Sequence, residues 1–91
     1  MGVVMWMNGE KVLFDVLLPA TGRHYDFWVP RDVPMQTISE MVAHAMQIAE
    51  PDFYRASPDA ALVLLSTGEM QNPNATPAEA GFSNSSQFVL M

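Results

Sequence analysis

Hydrophobic residues recur along this chain with two different periods, and the change of period marks out its elements. From Lys11 to Leu18 (KVLFDVLL) the period is two: Val12, Phe14, Val16 and Leu18 form an inward set and leave Lys11, Leu13, Asp15 and Leu17 outward. That register keeps the Asp15 carboxylate in water, whereas a slip of one residue buries it. Pro19-Ala20-Thr21-Gly22-Arg23 reads as a turn, after which Tyr25, Phe27 and Val29 alternate with His24, Asp26 and Trp28 up to Pro30. Two alternating runs joined by a short glycine-containing turn predict a β-hairpin.

Beyond Pro30 the period lengthens. Asp32-Val33-Pro34 is expected to open a helix, with proline in its first turn and an acid near the positive end of the dipole. Met35, Ile38, Val42, Ala45 and Ala49 fall on one face with Met41 and Ile48 beside them, while Gln36, Ser39, Glu40, Ala43 and Gln47 lie mostly opposite. Pro51 stops the helix, and Pro51 to Pro58 is irregular, with Phe53 and Tyr54 expected to pin it to the body. Ala61 to Leu65 (ALVLL) reads as a third strand, ended by the turn Ser66-Thr67-Gly68-Glu69, with Met70 a candidate short strand beyond. Gln71 to Ala80 is loop with one turn of helix from Pro77, closed by Gly81-Phe82, and Gln87 to Met91 (QFVLM) is the final strand. The order is β-β-α-β-(β)-β, an α+β domain over residues 11–91 preceded by an extension or extra strand at 1–10.

Composition narrows the function. Ninety-one residues suit one domain, and 49% hydrophobic against 15% charged residues is a globular balance. Ten acidic residues against four basic ones leave a net charge of −6, which argues against nucleic acid and anionic lipid as partners, since both recruit Lys and Arg. The absence of cysteine removes disulfides, thiol nucleophiles and Cys-based zinc sites. No apolar run approaches the roughly 20 residues of a membrane span, and the apolar Val3–Met7 stretch lacks the basic flank of a signal peptide. A cytoplasmic protein is expected, in which Asn74-Ala75-Thr76 and Asn84-Ser85-Ser86 are not glycosylation sites.

Candidate chemistry is sparse. Glu40 and His44 stand at i, i+4 on the helix without a third or fourth ligand, and read as a solvated pair. His24, at the hairpin beside Arg23, reads as exposed. Ser39 and His44, five apart on a helix, point in different directions, so they offer no nucleophile and base. Gly22, Gly68 and Gly81 are isolated turn glycines. The eight methionines are accounted for by packing, and Met1, Met5 and Met7 by an apolar terminus rather than a thioether copper site. No enzyme and no cofactor are expected.

This order is that of the ubiquitin-like β-grasp, a mixed sheet packed on one helix, and the resemblance extends to local sequence. Leu64-Leu65-Ser66-Thr67-Gly68-Glu69-Met70 resembles the family's third strand, tight turn and following apolar residue. Thr76-Pro77-Ala78-Glu79-Ala80-Gly81-Phe82 is similar to its late helical turn, with Pro77 and Ala80 departing from the pattern, and the polar kink Asn84-Ser85-Ser86 leads into Phe88 and Leu90. Modifiers and sulfur carriers of this fold end in a flexible Gly-Gly tail, whereas this sequence ends at Leu90-Met91 within the last strand, so neither role is expected. Val29-Pro30-Arg31-Asp32 before the helix and Ala80-Gly81-Phe82 before the last strand resemble the YukD/EsaB family. That resemblance implies a bacterial cytosolic accessory of type VII secretion that binds proteins, secretion-machinery components among them, and is not an enzyme. The alternatives are a ubiquitin-like domain of a larger or unrelated protein, or a truncated modifier or sulfur carrier.

Two surfaces follow. With Leu62 and Leu64 inward, Val63 and Leu65 show on the other face near Val89 and Met91. Ubiquitin-like proteins bind partners there; the resemblance matches Leu65 and Met91, with Val89 where ubiquitin carries a histidine. The second surface is Val3, Val4, Met5, Trp6 and Met7, followed by the hairpin signal Asn8-Gly9. The β-grasp first strand is paired on both sides, so this segment is expected either to be an unstructured start or to augment a strand edge in a homodimer or on a partner.

Overall fold

The computed structural model describes residues 11–91. The domain boundary at residue 10 and the strand-augmentation segment Val3–Met7 lie outside the described residues. Strand β1 (Lys11–Leu18) buries every even-numbered residue, and β2 (Arg23–Pro30) pairs with it antiparallel from Lys11↔Pro30 to Leu18↔Arg23. The turn closes where the N–H groups of Thr21 and Gly22 donate to the Leu18 carbonyl at 3.2 and 2.8 Å, with Gly22 at φ 71°, a conformation glycine reaches without strain.

Helix α1 (Met35–Ala49) differs from the sequence expectation at its start and in its buried face. Pro34 is its N-cap, no acidic residue lies in its first turn and no side chain caps it. Instead the N–H groups of Met35 and Gln36 donate to the carbonyls of Ala75 and Pro73, at 2.8 and 3.0 Å, so a loop forty residues downstream satisfies the helix end. The buried stripe is Met35, Ile38, Ser39, Val42, Ala43 and Met46, whereas Met41 is exposed, Ile48 is 80% exposed and Ala49 lies in solvent. Apolar residues occupy more of the helix than one face can bury, and the small Ser39 and Ala43 are on the face along which the chain from Ala56 to Leu62 passes.

Strand β3 (Leu62–Leu64) is shorter than the expected Ala61–Leu65, and Met70 forms a single bridge to Val63 in place of a strand. The turn of helix expected at Pro77 is α2 (Pro77–Ala80). Thr76 accepts from the Glu79 N–H while the Glu79 carboxylate accepts from the Thr76 N–H, a reciprocal cap, and Gly81 ends the turn at φ 78°. Strand β4 (Ser86–Leu90) enters beside β1 through Asn84 and Ser85: Asn84 Oδ1 accepts from the Leu13 N–H, and the Ser85 N–H donates back to the Leu13 carbonyl. The sheet order is β2-β1-β4-β3, with β1 and β4 parallel and the other pairs antiparallel. This is the expected α+β mixed sheet on one helix.

Between sheet and helix, Phe14, Phe88 and Phe82 make the centre of the core. Phe14 and Phe88 rings lie 4.4 Å apart, and Phe82 meets both edge-on at 5.9 and 5.1 Å. Replacing Phe14 or Phe88, both fully buried, by Ala is expected to cost about 3–5 kcal/mol in denaturant unfolding. Thr76→Ala should cost about 1 kcal/mol through loss of the cap.

Tyr54 is half-buried against the core, and burial raises its phenol above the usual value of 10.0. A raised phenol favours the folded state while neutral, so its contribution holds below pH 10.0 and is lost as pH rises through the folded-state value. Unfolding free energies measured between pH 9 and 12 should therefore fall less steeply in Tyr54→Phe than in the parent chain, and identical slopes would contradict this.

Candidate functional site

The outer face of the sheet, opposite α1, carries the outward residues of four segments. Their registers sort them into rows across the strands. One row runs His24, Leu17, Val89, Val63 and Met70, each paired with the next. The next row holds Asp26 opposite Asp15, Asp15 beside Gln87, and Leu65, whose N–H donates to the Gln87 carbonyl at 3.0 Å. A third pairs Trp28 with Leu13.

The four residues expected as a binding patch fall into this arrangement. Val63 and Val89 are opposite one another and half-buried; Leu65, 37% exposed, lies one row to one side of that pair. Met91, 66% exposed, lies to the other side, its N–H donating to the Ala61 carbonyl at 2.9 Å. The band therefore surrounds Val63 and Val89 rather than centring on Leu65 and Met91. Two members lie beyond the sequence reading: Leu17, and Met70, 71% exposed. Leu17 was legible as an outward residue of the central strand, and the parallel pairing of β1 with β4 makes it Val89's neighbour. Met70 was legible only as a candidate short strand after the Ser66–Glu69 turn, and one isolated bridge brings it beside Val63.

Asp15 makes two side-chain contacts on this face that the sequence reading did not contain. His24 is not merely exposed: its Nδ1 lies 2.8 Å from Asp15 Oδ1. The hairpin register places the two diagonally on one face, so alternation on both strands contained the signal. Gln87 Nε2 donates to the other Asp15 oxygen at 3.3 Å.

Open grooves line the helix side, and two of them run along α1. One, of about 520 Å³, lies between α1 and the 58–62 and 70–73 segments, with Met35, Ser39, Leu62 and Met70 among its walls. The other, of about 480 Å³, includes Glu40, His44 and Gln47. Gln47 is engaged there, its Oε1 accepting from the Ala56 N–H at 2.7 Å. Among the described residues no group of three or more His, Asp or Glu side chains is placed to hold a metal ion, and no helix is long and apolar enough to cross a membrane.

No family model and no curated protein matches the sequence. Solved structures do match the fold. The ubiquitin-like domain of the Mycobacterium tuberculosis type VII secretion system protein EccD1 superposes with a TM-score of 0.71 at 15% identity, over 90% of this chain and 98% of that one. The EccD5 ubiquitin-like domain from Mycobacterium xenopi gives 0.74 at 10% identity, over 90% and 93%. A chain of the MycP5-free ESX-5 inner membrane complex gives 0.75 at 11% identity, over 89% of this chain and 20% of that one. The chain has the ubiquitin-like β-grasp fold, in a form similar to the ubiquitin-like domains of these type VII secretion proteins.

Proposed function

We propose that this chain is a non-enzymatic protein-interaction module of a bacterial type VII secretion system, working in the cytoplasm through the outer face of its sheet. The observation that carries the reading is the contiguous apolar band of Leu17, Val89, Val63, Met70, Leu65 and Met91 on a face that, among the described residues, no helix covers. Likeness to the EccD1 and EccD5 domains supports the setting, and protein components of that machinery are the proposed partners. A free-standing accessory of the YukD/EsaB kind is one form of it. The other form, a domain of a larger protein, is favoured by the ESX-5 chain, of which this fold makes up only a fifth. The mass of the native protein on an immunoblot distinguishes the two.

Leu65→Asp tests the surface. It should abolish partner binding and change unfolding stability by no more than about 1 kcal/mol, as a substitution at an exposed edge does. A photo-crosslinking residue at position 65 should capture a secretion component in cells, and one at the exposed Glu79, on α2, should not. Equal capture from both positions, or a stability loss of about 3–5 kcal/mol for Leu65→Asp, would remove the surface from consideration.

A further inference from the structure

The acidic row that crosses the apolar face has a consequence for what can dock on it. Asp15 and Asp26 are directly opposite one another. The Leu13 carbonyl accepts from Ser85, which shows that odd-numbered residues of β1 turn their backbone groups toward β4. Asp15 and Asp26 are therefore a non-hydrogen-bonded pair of the β1–β2 ladder, the kind in which side chains approach most closely. Like charges in that position destabilise a sheet. The local relief goes to one of them: His24 and Gln87 both reach Asp15, while Asp26 stands exposed. On one side of this pair lies the Leu17, Val89 and Val63 row, and on the other Leu13 and Trp28, the latter well exposed. Lys11, also on this face, lies two residues before Leu13 and two rows from the pair.

Resting on the reading of this face as a docking surface, we infer the chemistry of its partner: a segment in which an arginine or lysine is flanked by apolar side chains. The cation seats over Asp15 and Asp26, and its apolar neighbours cover the Leu17–Val89–Val63 row and the Leu13–Trp28 pair. Covering those rows excludes water from around the two carboxylates, which strengthens a charge-assisted contact that would be weak in open solvent. The net charge of −6 adds attraction at longer range, and an acidic partner segment is repelled at the centre of the same surface.

The test is selection of binders from a random twelve-residue peptide display library on the full chain, followed by affinity measurement on variants. Val63→Thr/Val89→Thr removes apolar character without adding charge, Asp26→Asn removes the exposed carboxylate, and Asp59→Asn controls for general attraction to an acidic protein. Thermal melts accompany each, and Asp26→Asn should melt no lower than the parent because it relieves the opposed pair. The expected result is that peptides dependent on Val63 and Val89 are enriched in Arg or Lys next to Leu, Ile, Phe or Trp. Their affinity should fall roughly tenfold with Asp26→Asn, equivalent to about 1.4 kcal/mol, and stay unchanged with Asp59→Asn. Face-dependent peptides without basic enrichment, or indifferent to Asp26→Asn, would overturn the partner chemistry and leave the docking surface standing. A selection in which no peptide depends on Val63 and Val89 would overturn the surface itself.

Discussion

Strand β1 has no free side. It is hydrogen-bonded to β2 along its whole length and to β4 from Phe14 onward, while its even-numbered side chains press into the core and its odd-numbered ones line the outer face. Every other feature is constrained by that double pairing. The parallel β1–β4 contact requires the chain to cross from one end of the sheet to the other between β2 and β4, and α1 makes that crossing over the inner face. Phe14 and Phe88 meet there because their strands adjoin, and Phe82 closes the cluster from the loop that feeds β4.

The same constraint builds the outer face. A central strand with Leu13, Asp15 and Leu17 outward sets an apolar, acidic, apolar sequence of rows, and one neighbour of each repeats its character: Trp28 beside Leu13, Asp26 beside Asp15, Val89 beside Leu17. Asp15 holds the register of β1, but the core could be filled equally well with a neutral residue at position 26, so the acid placed opposite Asp15 is not explained by packing. Likeness of the backbone to EccD domains at 10–15% identity says nothing about these side chains, and the character of the surface is a property of this sequence.

Legibility followed the range of the interactions. Alternation in β1 and β2 was readable because each strand repeats every two residues and a wrong register buries Asp15. The α2 turn was readable from Thr76, Pro77 and Gly81, and the sequence also contained the Glu79 partner that completes its cap. The helix face was misread because Met35–Ala49 offers two overlapping apolar stripes. Periodicity alone cannot choose between Ala45 with Ala49 and Ser39 with Ala43; the passage of Ala56 to Leu62 alongside the second stripe makes the choice. The expected acidic helix start failed for a related reason, since the carbonyls of Pro73 and Ala75 had already satisfied the donors that a side-chain cap would serve.

By itself the sequence determined the element order, the inward and outward sets of each strand, and the absence of cysteine chemistry. Those depend on residue type and on spacing within one element. Only the tertiary structure decided which outward residues became neighbours: Leu17 with Val89, Val63 with Met70, His24 with Asp15, Asp26 against Asp15. The physical reason is that a period assigns a residue to a face of its own strand, while a surface is made of several strands whose adjacency is set by long-range pairing. The outer face as a contiguous surface exists only once β1 and β4 lie side by side, and that pairing joins residues more than seventy positions apart.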